Sequence, residues 1–185
     1  TMKKRILIAT FVGAVITLIW SIVSLSYLTW HTPKTFANSA EITKVIQDNT
    51  NGHGMYALSP RLIDVNRDED AIRSDPFIYA IIRPQQIEGG SIIRPLALNF
   101  GANLFLALIL AIIMARRSHY ISKLVVGLLF GLFAGITASA PLFIWMELPN
   151  IETTARLCDP LISWTFAAAI MGLIVKKTKR RIFSS

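Results

Sequence analysis

Asp159 stands at the edge of an apolar stretch and is followed by Pro160. A carboxylate in that position has two readings. It can carry or couple protons, as acids within membranes often do. Alternatively, Asp-Pro starts a helix, with Asp159 as N-cap and Pro160 at the first helical position. The carboxylate then lies at the interface, against the positive end of the helix dipole. Asn99 and Asn103 lie one helical turn apart in another apolar stretch. An amide in hydrocarbon must find partners. These are either hydroxyls on a neighbouring helix (Thr17, Ser21 or Ser24) or a ligand or ion. His31 and His53 lie in a segment rich in carboxylates, and two histidines with a carboxylate suit a transition metal. Their spacing matches no recognised ligand set, so no metal is expected. The acids of residues 61–75 lack the alternate spacing and the glycine of a calcium loop. Cys158 is the one cysteine, which excludes an intrachain disulfide, and a nucleophile there would need a base that the sequence does not locate. The chain holds no serine elbow, phosphate loop or dinucleotide fingerprint. No catalytic residue is assigned and no cofactor is implied.

These residues are carried by apolar elements. The chain has 185 residues, of which 53% are hydrophobic and only 16% charged, too apolar and too blocky for one soluble domain. Four stretches approach the roughly 20 residues that cross a bilayer: 6–28, 96–114, 124–146 and a short one at 160–175. Thr1 precedes the methionine at which a natural chain would begin, and it is left out of the reading. The first stretch has a basic start, but its apolar core is too long for a cleaved signal, so an uncleaved anchor is expected.

Charge gives these spans a direction. Lys3, Lys4 and Arg5 precede the first. Arg116, Arg117 and Lys123 lie between the second and third. Five more basic residues occupy the tail, 176–185. These eleven basic residues share one side with no acid among them, while all eleven acids fall on the other. The basic side is therefore read as cytoplasmic, with both termini on it. The net charge of +8 is an orientation signal split over three short flanks, and it does not indicate nucleic acid.

Within the third span, Gly127, Gly131, Gly135 and Ser139 recur every four residues. Such a row lets another helix approach closely, either inside the chain or across a dimer seam. Pro141 lacks an N–H and should bend that span near its outer end, with the Thr137 hydroxyl or a water meeting the freed groups. Trp30 and Trp145 fit an interfacial belt. Trp20 and Trp164 lie deeper and either fill the core or line a pocket. Aromatic walls with a few polar groups make a binding site. A ligand groove is therefore expected in the outer half, lined by Trp20, Asn99, Asn103, Pro141, Asp159 and Trp164.

Residues 29–95 form the long outer segment. Asn38 and Glu41 have capping-box spacing, followed by Ile42, Val45 and Ile46 on one helical face. The helix should stop near Asn49, before the turn at Asn51-Gly52. Met55–Leu58 is strand-like. Phe77–Arg83 has the alternation of a strand, and a second short strand is expected at Ser91–Arg94. The expected fold is an all-α transmembrane four-helix bundle with a small α+β extracytoplasmic cap between the first and second spans.

One span, a β-containing outer loop and three close-set spans resemble the claudin-type topology, with Trp30 just after the first span. The cysteine pair of that family's loop is missing, so the resemblance is one of architecture alone. The chain also resembles a group of uncharacterised bacterial four-span inner-membrane proteins. The matching pieces are Trp20, Trp30-His31, Gly54–Pro60, Ile82-Arg83-Pro84, Asp159 and Trp164. That resemblance implies a bacterial inner-membrane, multi-pass protein and no particular activity.

The expected role is non-enzymatic: assembling with or stabilising a membrane-protein partner, or a second copy of the chain, with membrane lipid around it. A rival is binding or transport of a lipid or small hydrophobe in an outer-leaflet groove. A second rival is a membrane-embedded lipid-modifying enzyme using Asp159 and a histidine. The topology has a direct test. In a Cys158→Ser background, single cysteines at positions 64–70 should react with an impermeant maleimide in intact cells. Labelling only after lysis would reverse the orientation.

Overall fold

The structure, a computed structural model, describes residues 1–58, 78–83 and 92–175. Five helices and two strands form there. Four helices are long and apolar enough to cross a membrane: α1 (Met2–Tyr27), α3 (Ile93–Ala115), α4 (Tyr120–Met146) and α5 (Asn150–Ile174). At roughly 1.5 Å per residue, each exceeds the ~30 Å of a hydrocarbon core. A single 3-10 turn, Thr29–His31, follows α1.

Two spans begin earlier than the sequence suggests. α3 opens at Ile93, so Ile93 and Arg94 are helical where a strand was expected. Pro95 falls in the first turn, where its missing N–H has no helical partner to lose. α5 opens at Asn150, not at Pro160. Asp159 is therefore no N-cap. It lies inside the helix, and Pro160 is an interior proline. Pro149 already supplies the break before α5, and Thr153 bonds back to the Pro149 carbonyl at 2.9 Å.

The residues at 33–91 and the four long helices with Thr29–His31 form two separate compact units. In the first, α2 (Ser39–Asn49) is capped by Asn38, whose side chain accepts from the Glu41 N–H at 3.4 Å and donates to the Glu41 carboxylate at 2.6 Å. Strands β1 (Gly54–Leu58) and β2 (Ile78–Ile82) pair antiparallel, with Gly54 opposite Ile82 and Leu58 opposite Ile78. Phe77, Ser91, the acidic stretch 61–75 and the basic tail 176–185 lie outside the described residues.

Among the long helices, α1 packs on α3 and α5, and α5 packs most extensively on α4. Small residues set these approaches. Gly13 of α1 lies between Ala107 of α3 and Met171 of α5; a Cβ there would sit 3.3 Å from the Ala107 Cβ and 2.5 Å from the Met171 sulfur. Gly127, Gly131, Gly135 and Ser139 are all buried. The glycines face α5. A Cβ on Gly127 would overlap that of Ala168, one on Gly131 would lie 2.6 Å from the Pro160 carbonyl oxygen, and one on Gly135 would lie 2.5 Å from that of Leu157. The row is thus occupied by a helix of the same chain.

The apolar core collects Ala107, Leu110, Ala111 and Met114 of α3 with Trp164, Ala167, Ala168 and Met171 of α5. α3 buries nothing before Ala107, and it touches α4 sparingly although a short turn joins them. Lys123, counted above with the basic connection, is in the first turn of α4 and buried. Its ammonium donates to the carbonyls of Gly172 and Val175, at the C-terminus of α5. A cation there satisfies carbonyls that have no helical donor and meets the negative end of the dipole.

Gly131→Leu should destabilise the protein by about 1–3 kcal/mol, the usual cost of overpacking. Thermal unfolding in mild detergent measures it. An unchanged midpoint would place the row outside the α4–α5 contact.

Candidate functional site

The interior position of Asp159 decides the site. Its carboxylate faces α1 and the 3-10 turn, and three side chains reach it. Trp20 Nε1 donates to Oδ1 at 3.0 Å. Ser24 Oγ lies 2.7 Å from Oδ1 and 2.9 Å from Oδ2. His31 Nε2 lies 2.7 Å from Oδ2. Trp30 Nε1 in turn donates to Ser24 Oγ at 3.0 Å. Residues 20, 24 and 31 are brought together because one helical turn separates the first two and the 3-10 turn folds the third back toward α5.

The network continues along α5. His31 Nδ1 is 3.3 Å from Glu152 Oε2, and Arg156 Nε forms an ion pair with Glu152 Oε1 at 2.9 Å. Glu152 and Arg156 form an i,i+4 pair in the favourable order. Carboxylates only accept, so a neutral imidazole donates to one of its two neighbours, and the imidazolium donates to both. Arg156 is the most exposed member, at 43% of its side chain, against 14% for His31 and 23% for Asp159.

Beside this network lies a half-open cavity of about 360 Å³. α1 contributes Thr17, Trp20, Ser21 and Leu25; α3 contributes Asn103; α4 contributes Ala138. α5 forms the remaining wall with Arg156, Asp159, Pro160, Ser163 and Trp164, and His31 closes the polar end. Pro160 has no N–H, so the Arg156 carbonyl lacks its usual donor four residues on. Trp164 is held by an edge-on contact with Phe130, centroids 5.1 Å apart.

Of the residues singled out in the sequence, Trp20, Asn103, Asp159 and Trp164 line this one cavity. Asn99 and Pro141 do not, and both are exposed. Asn103 donates to the Asn99 side chain at 3.4 Å and makes no bond to the hydroxyls of α1. Those hydroxyls are engaged elsewhere: Thr17 bonds back to Gly13 and Ala14, Ser21 to Thr17, and Ser24 to Asp159. The Thr137 hydroxyl likewise turns back to Phe133 and Ala134 and does not meet the groups freed by Pro141. Among the described residues no group of three His, Cys, Asp or Glu side chains is arranged to hold a metal.

The sequence reading missed the pairing of His31 with Asp159, the roles of Ser24 and Trp30, and Glu152 and Arg156 altogether. The i,i+4 spacing of the last two was visible. It fell where no helix was expected.

The same geometry bears on catalysis. Ser24 is fully buried, so its hydroxyl, which donates to the Asp159 carboxylate, is out of a ligand's reach. Both ring nitrogens of His31 face carboxylates, leaving none to take a substrate proton. No family model, curated protein or solved structure matches the chain.

Asp159→Asn replaces an acceptor-only group by one that points an NH2 at donors. It should destabilise the protein by about 1–3 kcal/mol, the scale of a disrupted polar network at a partly buried site. Ser24→Ala should cost about 1 kcal/mol. Unfolding in detergent is the measurement; wild-type stability in Asp159→Asn would mean that the network carries no energy.

Proposed function

We propose that this chain is a non-enzymatic multi-pass membrane protein that holds an amphiphile in a groove in the outer half of a four-helix bundle. The carrying observation is the half-open cavity whose walls are Trp20, Trp164, Leu25 and Ala138 and whose polar end is His31, Asp159 and Arg156. Apolar walls that converge on a few polar groups suit a molecule with a tail and a head. The basic flanks orient both termini to the cytoplasm in this reading, in a bacterial inner membrane. The cavity then opens toward the outer leaflet, and residues 33–91 are extracytoplasmic in the same reading.

Three other roles fit less well. Transport needs a polar route across the membrane. The inner half is instead closed by Ala107, Leu110, Met114, Ala168 and Met171, all fully buried. An enzyme acting on lipid needs an accessible nucleophile, and Ser24, the hydroxyl beside Asp159, is fully buried. The assembly of a membrane-protein partner has no marked surface of its own, since the exposed apolar residues of the spans are those that lipid would cover.

Ala138→Phe places a ring in the cavity. Purified in mild detergent, the wild-type protein should retain phospholipid by native mass spectrometry, and Ala138→Phe should lose most of it while its unfolding midpoint stays near wild type. Equal retention by both proteins would empty the groove of a role.

A further inference from the structure

The polar end of the cavity has an asymmetry between acceptors and donors. Asp159 accepts from Trp20, Ser24 and His31. Glu152 is shared between His31 and Arg156. Both carboxylates are thus engaged within the protein, as is each nitrogen of His31. Arg156 differs. Its guanidinium carries five N–H donors, and its one contact with an acid among the described residues is the ion pair of Nε with Glu152. Among the described residues its two terminal nitrogens make no hydrogen bond, and Arg156 lines the cavity. The unsatisfied capacity of this site is therefore donor capacity bearing positive charge.

We infer that Arg156 receives the phosphate of an anionic amphiphile whose apolar part lies along Trp20 and Trp164. The inference rests on the groove reading and names the head group that the groove selects. A planar guanidinium matches phosphate with two parallel N–H donors. Glu152 has a positioning role: it holds Nε and leaves the outer edge of the fork to the ligand. The engaged state of Asp159 and Glu152 matters equally. Two carboxylates each bonded to cations or N–H and O–H donors repel an incoming phosphate far less than bare ones would.

The test separates head from tail. Wild-type protein, Arg156→Gln, Arg156→Lys and Ala138→Phe are each incubated in mild detergent with equimolar phosphatidylglycerol and phosphatidylcholine, and retained lipid is read by native mass spectrometry. Wild type should favour phosphatidylglycerol by about tenfold, the scale of one charge-assisted hydrogen bond. Arg156→Gln should retain both lipids without preference. Arg156→Lys, which keeps the charge but loses the fork, should keep a reduced preference, and it guards against loss of folding in the glutamine variant. Ala138→Phe should retain neither lipid. Displacement by millimolar glycerol 3-phosphate would identify free phosphate as sufficient, and resistance to it would identify the lipid as the source; either supports the phosphate site. No preference in wild type, with both lipids lost in Ala138→Phe, overturns the head-group inference and leaves the groove. A preference that survives Arg156→Gln also overturns it. Retention of neither lipid by wild type overturns the groove itself.

Discussion

A carboxylate in the middle of a long apolar helix is the constraint on which the rest depends. Removing Asp159 from water costs several kcal/mol unless donors surround it. Within α5 it has none to spare, because backbone N–H groups are taken by the helix. The donors must come from another element, and α1 supplies them through Trp20 and Ser24, with His31 from the turn that follows. The rotation of α1 is then no longer free. Its polar stripe at 17, 20, 21 and 24 must face the region of α5, so its large apolar residues Leu7, Phe11, Ile19 and Ile22 face outward, where they are exposed. The 3-10 turn is fixed for the same reason, since His31 reaches both Asp159 and Glu152 only when the chain turns directly after Tyr27.

Two kinds of contact hold the helices at different depths. Toward the Lys123 end, small residues let backbones meet: Gly13 against Met171, Gly127 against Ala168. Toward the Asp159 end, α1 and α5 are joined by long side chains and hydrogen bonds, while Gly131 and Gly135 of α4 still meet the α5 backbone at Pro160 and Leu157. α3 adds little there, since its buried residues begin at Ala107. The cavity lies beside the polar network, lined chiefly by α1 and α5, with Asn103 of α3 and Ala138 of α4. The cavity and the network thus share Trp20, His31, Arg156 and Asp159.

The spans and the glycine row were legible in the sequence because both are local patterns. Twenty apolar residues, or a small residue every fourth position, require no knowledge of a partner. Asp159-Pro160 shows where local reading fails. As a dipeptide it is a helix start, and the apolar run begins just after it. Yet a second start, at Pro149-Asn150, lies ten residues upstream, and once α5 begins there the Asp and the Pro must both be accommodated inside. A short apolar run of sixteen residues was the visible hint, since it would barely span a bilayer. Extension back to Asn150 gives 25 residues. His31 was legible only as a residue near many acids. Its partners are 121 and 128 positions away, and nothing in a one-dimensional pattern specifies which of eleven acids it meets.

Asp159 and Pro160 are adjacent defects in one helix, and their adjacency has a physical consequence. The carboxylate needs donors, and the proline frees the Arg156 carbonyl from its helical bond. Each defect alone would require its own polar neighbourhood in an apolar medium. Placed side by side, they share one. The freed carbonyl belongs to the residue whose guanidinium reaches Glu152, and the proline's own carbonyl packs against Gly131 and accepts from Ser163. The polar groups around these two defects therefore share one neighbourhood, with the glycine contact to α4 flanking it. A helix built only to cross the bilayer would carry neither residue, because leucine or alanine at 159 and 160 would cross it more stably. In the proposed reading both defects serve the groove: the cavity lies at their side, and Arg156 lines it together with Asp159 and Pro160.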